Sequence, residues 1–65
     1  MKKVKLIQRA YGVVLEMKKG NEWLFVTCFD KATLRESSVN AETIFVEKDC
    51  ETICVFDTDL VEVQW

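Results

Sequence analysis

The chain's three cysteines, Cys28, Cys50 and Cys54, are its most reactive side chains, and the last two form a C-x₃-C spacing. A structural zinc takes four ligands, mostly thiolate or imidazole. The chain has no histidine, so a carboxylate would have to complete the set, and no metal site is expected. Cys54 lies inside an apolar run and reads as a small buried hydrophobe. Cys50 falls at a turn and reads as an exposed thiol with only Lys48 nearby to lower its pKa. Asp57, Thr58 and Asp59, with Glu62 following, cluster carboxylates. A calcium loop needs about twelve residues with a glycine in its middle, which this segment lacks. Missing histidine also removes the commonest general base, and with it serine- and cysteine-centred triads. Gly12 and Gly20 stand alone, so no glycine-rich phosphate loop exists. A non-enzymatic chain without metal or cofactor is expected.

Binding chemistry is better represented. Glu47, Asp49, Glu51, Asp57, Asp59 and Glu62 crowd the last nineteen residues, and strand alternation would put Glu47, Asp49 and Glu51 on one side of a hairpin tip. A concentrated acidic edge steers encounter with a basic partner. Residues 1–20 hold the opposite charge: Lys2, Lys3, Lys5, Arg9, Lys18 and Lys19 against the single acid Glu16. Trp23, Phe25 and Phe29 are expected on one side of their strand, at least two of them in the core, with Lys18 across from Trp23. Aromatics beside cations can stack single-stranded bases. The isoelectric point near 5.0 weighs against that use.

These residues must be carried by strands. Val, Ile, Phe, Trp, Tyr and Thr make 24 of the 65 residues against three alanines, and no window of twelve shows a helical apolar stripe. Strands are expected at Lys3–Gln8, Tyr11–Lys18, Trp23–Phe29, Thr43–Glu47 and Thr52–Phe56, with Leu60–Trp65 a sixth or a continuation of the fifth. Gly20-Asn21 suits a two-residue hairpin loop. It would pair Lys19 with Glu22, Lys18 with Trp23, Met17 with Leu24, Glu16 with Phe25, Leu15 with Val26, Val14 with Thr27, Val13 with Cys28 and Gly12 with Phe29. A second hairpin about Asp49-Cys50 would pair Lys48 with Glu51, Val46 with Ile53, Phe45 with Cys54 and Ile44 with Val55. Asp30–Glu42 reads as a long polar loop holding a helical turn or a short edge strand.

With 65 residues the core is thin, and without proline the strand edges are poorly defended. Closure into a small five- to six-stranded antiparallel barrel would hide those edges. Pairing Lys3–Ile7 with Leu60–Gln64 would set the basic start beside the acidic end, and Trp65 would cap the core. Short strands, a long loop and the terminal Asp59-Leu60-Val61-Glu62-Val63 resemble Src-homology-3-like barrels, including Tudor and KOW modules. The odd cysteine count and the broken apolar run after Lys3 point to a reducing cytoplasm without an export signal. No stretch is long enough for a membrane helix. The expected function is that of a small protein-binding inhibitor or regulator, of the virus-encoded or accessory kind. It would engage a larger basic protein, or a protein–nucleic-acid complex, through the acidic residues. The alternative is a nucleic-acid-binding module using the basic residues, and the open edges offer a third role in self-association.

Overall fold

A computed structural model of the chain describes residues 2–39 and 41–65. Seven strands follow in order: β1 (Val4–Arg9), β2 (Gly12–Lys19), β3 (Glu22–Asp30), β4 (Thr33–Glu36), β5 (Thr43–Lys48), β6 (Glu51–Asp57) and β7 (Val61–Gln64). The chain is all-β as its composition implies. No helix among the described residues is long and apolar enough to cross a membrane. The expected closed barrel does not form. The strands make two separate sheets, ordered β3-β2-β1-β7 and β4-β5-β6, and each keeps two open edges.

The basic first strand does lie beside the acidic last one. They run parallel rather than antiparallel, with Val4, Lys5, Leu6 and Ile7 opposite Val61, Glu62, Val63 and Gln64. The segment expected as a loop contributes β4, a short edge strand; position 40 lies outside the described residues.

Between the sheets, Leu6, Val13, Ala32, Leu34, Ile44, Val46 and Val61 are buried, with Val4, Leu15, Phe29, Cys54, Phe56 and Val63 packed around them. These residues come from both sheets and form one cluster, so the two apolar faces share a single core. One polar side chain joins the layers. Gln8 Oε1 accepts the Leu34 N–H at 2.7 Å, and its Nε2 donates to the carbonyls of Ala32 and Gly12, each at 3.2 Å. This stitches β1 to the start of β4 and supplies partners to backbone groups that the ladders leave over. Trp65, expected as a lid, is exposed.

Both hairpins turn where expected and then slip. Near the Gly20-Asn21 tip, Lys19–Glu22, Lys18–Trp23, Met17–Leu24 and Glu16–Phe25 pair as anticipated. Val26 is then an extra residue, so Leu15 faces Thr27, Val14 faces Cys28, Val13 faces Phe29 and Gly12 faces Asp30. The second hairpin keeps Lys48–Glu51, bulges at Ile53, and continues with Val46–Cys54, Phe45–Val55, Ile44–Phe56 and Thr43–Asp57. One extra residue flips every later side chain to the other face. This slip is why Phe29 enters the core while Trp23 and Phe25 stay outside it.

The turns differ in strain. Gly20 alone takes a positive φ, 64°, in the first loop, whereas Asp49 and Cys50 both do in the second, at 55° and 66°. The second loop thus has the backbone that favours Asn-Gly or Asp-Gly, with a cysteine in the glycine position. Gly12, at φ 151°, admits no side chain either, since a Cβ there would run into the Phe29 carbonyl oxygen.

Candidate functional site

Side-chain alternation along the observed registers defines two outer faces. On the four-stranded sheet the rows read Lys18–Trp23, then Glu62–Lys5–Glu16–Phe25, then Gln64–Ile7–Val14–Cys28. Trp23 has two cations against its ring: Lys5 Nζ lies 4.5 Å and Lys18 Nζ 5.7 Å from its centroid. A ring within about 6 Å of an ammonium attracts it through its quadrupole. Lys5 also pairs with Glu62 at 3.4 Å, so one of the expected acidic ligands is already bound to one of the expected basic ones. Phe25, next to Trp23, is 65% exposed. Lys3 and Lys18 line a shallow depression with Gly20 and Asn21. Of the basic candidates, Lys3, Lys5 and Lys18 are therefore grouped at one end of this face. Lys19 sits beside the turn opposite Glu22, Arg9 closes the far end of β1 opposite Gly12, and Lys2 precedes β1 and is exposed. Cys28, on the same face, donates to Asp30 Oδ1 at 3.8 Å. Desolvation, and then the Asp30 charge and hydrogen bond, raise its pKa, which keeps it a thiol rather than a nucleophilic thiolate.

The three-stranded sheet carries the acids. Its outer face reads Thr33–Glu47–Thr52 and Arg35–Phe45–Val55, with Asp57 beyond. Arg35 stacks on Phe45 at 4.5 Å and donates to Glu47 Oε2 at 2.9 Å, while Thr52 Oγ1 donates to the same oxygen at 3.5 Å. The hydrogen bond and charge of Arg35, helped by Thr52, hold the Glu47 carboxyl below its ordinary pKa against some desolvation. The same hydrogen bond raises that of Arg35.

The expectation that Glu47, Asp49 and Glu51 share one side of the tip is not met. Glu51 pairs with Lys48 on one face and Glu47 with Thr52 on the other, because the two-residue turn resets the alternation. Five of the six acidic candidates nonetheless gather about one element. Asp49 and Glu51 stand exposed at one end of β6, Asp57 and Asp59 at its other end, and Glu47 on the strand alongside. Only Glu62 lies elsewhere, on β7. Between those acidic ends Ile53 and Val55 are 42% and 56% exposed on a strand with no neighbour on its open side. Sequence reasoning missed these two residues. Counting back from the turn sets Ile53 against Val46, and the bulge that leaves it outside the core has no glycine to mark it.

Charge is divided between the layers. Positions 1–30 and 60–65, which build the four-stranded sheet, hold six bases and four acids; positions 31–59, which build the other, hold three bases and seven acids. No group of three or more His, Cys, Asp or Glu side chains among the described residues is arranged to hold a metal. Comparison with known protein families, with curated proteins and with solved structures finds no match. The resemblance to Src-homology-3-like barrels therefore rests on the strand pattern alone.

Proposed function

We propose that this chain is a non-enzymatic protein-binding module, an inhibitor or regulator that takes a larger basic protein on the open edge of β6. The carrying observation is an apolar strip, Ile53 and Val55, exposed on an edge strand whose outer side is open, with carboxylates at both ends. Interfaces combine an apolar centre with a polar rim, and an open edge offers backbone groups to an incoming strand. Acidic ends favour a partner segment with Lys or Arg flanking apolar residues, and disfavour acidic ones. The three free thiols suit a reducing cytoplasm as its setting.

Affinity capture from lysate with quantitative mass spectrometry tests this. A basic partner held by the wild-type chain is lost with Asp49→Lys/Glu51→Lys and, separately, with Val55→Lys, each lowering affinity roughly tenfold or more. Lys5→Glu/Lys18→Glu retains that partner. Equal capture by wild type and by both β6 variants overturns the reading.

The two cations against the Trp23 ring support a second reading, in which the outer face of the four-stranded sheet holds single-stranded nucleic acid. Binding to an oligonucleotide that weakens steeply with salt and disappears in Lys5→Glu/Lys18→Glu would move the function to that face.

A further inference from the structure

Strand β3 has a different kind of open edge. Its residues Trp23–Phe29 are seven uncharged positions in a row, and Leu24, Phe25 and Val26 are all exposed. A long apolar edge without proline or an internal charge is a template for another strand. We propose that it pairs with the β3 of a second copy, antiparallel about a twofold axis, to form a continuous eight-stranded sheet. This goes beyond the proposed β6 site and does not depend on it.

Backbone directions select the register. The Lys18 N–H donates to Lys3 O, toward β1, so its neighbour Met17 turns to β3 and binds Leu24. Trp23 and Phe25 therefore direct their backbone groups to the open side. At the other end the Lys31 N–H donates to Tyr11 O, which makes Gly12–Asp30 a non-hydrogen-bonded pair and turns Asp30 and Cys28 outward. In a regular strand the outward residues are all odd or all even. The extra residue Val26 changes that parity midway. The twofold pairing that matches outward groups with outward groups then sets Phe25 against Cys28 of the other copy and Trp23 against Asp30. All four side chains lie on the outer face, so the pleats agree as well.

The same register places Glu22 opposite Lys31 of the second copy at both ends, and brings Asp30 to the Trp23 ring already flanked by Lys5 and Lys18. Each Glu22 thus meets a Lys31, and each Asp30 comes to the ring beside which Lys5 and Lys18 lie, which is the argument for a second copy as the occupant. The β6 edge lacks this self-complementarity. Its ends, Glu51 and Asp57, are both acidic and would repel in the antiparallel self-pairing that uses the whole strand.

Sedimentation equilibrium of the full chain tests the association. A concentration-dependent species of twice the 7.6 kDa monomer mass is expected. Val26→Lys, on an exposed edge position, should abolish it with an unchanged circular dichroism spectrum. Lys31→Glu should weaken it roughly tenfold, since two like-charged pairs then face each other. Adding Glu22→Lys should restore it. Disulfide trapping checks the register independently. In a Cys50→Ser/Cys54→Ser background, Phe25→Cys should give a covalent dimer under copper–phenanthroline oxidation, and further Cys28→Ser should remove it. A chain that stays monomeric at millimolar concentration, a dimer indifferent to Val26→Lys, or trapping that survives Cys28→Ser overturns the proposal. So does an edge occupied only by an unrelated protein.

Discussion

Replacing Gln8 with methionine keeps the length of the side chain and removes its polar end. In the native chain that end accepts from Leu34 N–H at 2.7 Å and donates to the Ala32 and Gly12 carbonyls at 3.2 Å. Leu34 and Ala32 are both buried, so methionine leaves backbone groups without their partners in a part-buried region. A lost internal hydrogen bond costs about 1 kcal/mol, and an abandoned buried donor about 1–3 kcal/mol. Together Gln8→Met should cost about 2–4 kcal/mol. Domains are stable by roughly 0.05–0.15 kcal/mol per residue, so 65 residues hold roughly 3–10 kcal/mol and the loss is a large share of it. The thermal midpoint should fall by roughly 10–30 °C. Urea denaturation followed by tryptophan fluorescence measures it. Gln8→Glu separates the two halves of the contact, since it keeps the acceptor for Leu34 but sets a carboxylate against the carbonyls of Arg9, Gly12 and Ala32. That carboxyl would have a raised pKa in the folded state, so its protonated form favours folding. The Gln8→Glu chain should therefore be most stable below the ordinary glutamate pKa and weaken as pH rises through the folded value. A Gln8→Met chain within about 0.5 kcal/mol of wild type would refute the reasoning, because the two layers would then be held by apolar burial alone.

Two other outcomes follow from the β5–β6 hairpin. Cys50 occupies a left-handed position at φ 66° in a turn that favours glycine second, and that conformation costs a side-chain-bearing residue about 1–2 kcal/mol. Part of the gain is offset by the greater freedom of glycine when unfolded, so Cys50→Gly should raise the thermal midpoint by a few degrees in a differential scanning measurement. At Glu47 the pKa is depressed by Arg35, so its contribution to stability is present above the unfolded value, about 4.3, and is lost as pH falls through the lower folded value. Urea midpoints measured from pH 7 to pH 2.5 should converge between wild type and Glu47→Gln on the acid side; curves that stay parallel would exclude the pair as a stabilising contact.

Much of this structure is legible in the residue order. Alternating β-branched and aromatic residues determine where the chain extends, and Gly20 marks the first reversal because glycine accepts a positive φ freely. Lys5 and Glu62 meet because the basic first strand and the acidic last one are neighbours. The absence of histidine, set by composition alone, removes imidazole from whatever chemistry the chain could do. The bulges at Val26 and Ile53 were not legible. Nothing local distinguishes those residues from their neighbours, and each bulge changes which alternate residues of its strand face the core. Phe29 reaches the core beside Val13 only if the register slips, as Cys54 does beside Val46. The separation into two sheets was equally a tertiary decision, because β4 pairs with β5 while Gln8, an ordinary polar residue in the sequence, ties it to β1. Local preference specifies extension and reversal; which edges stay open depends on how seven short strands share one small core, and both proposed binding edges follow from that sharing.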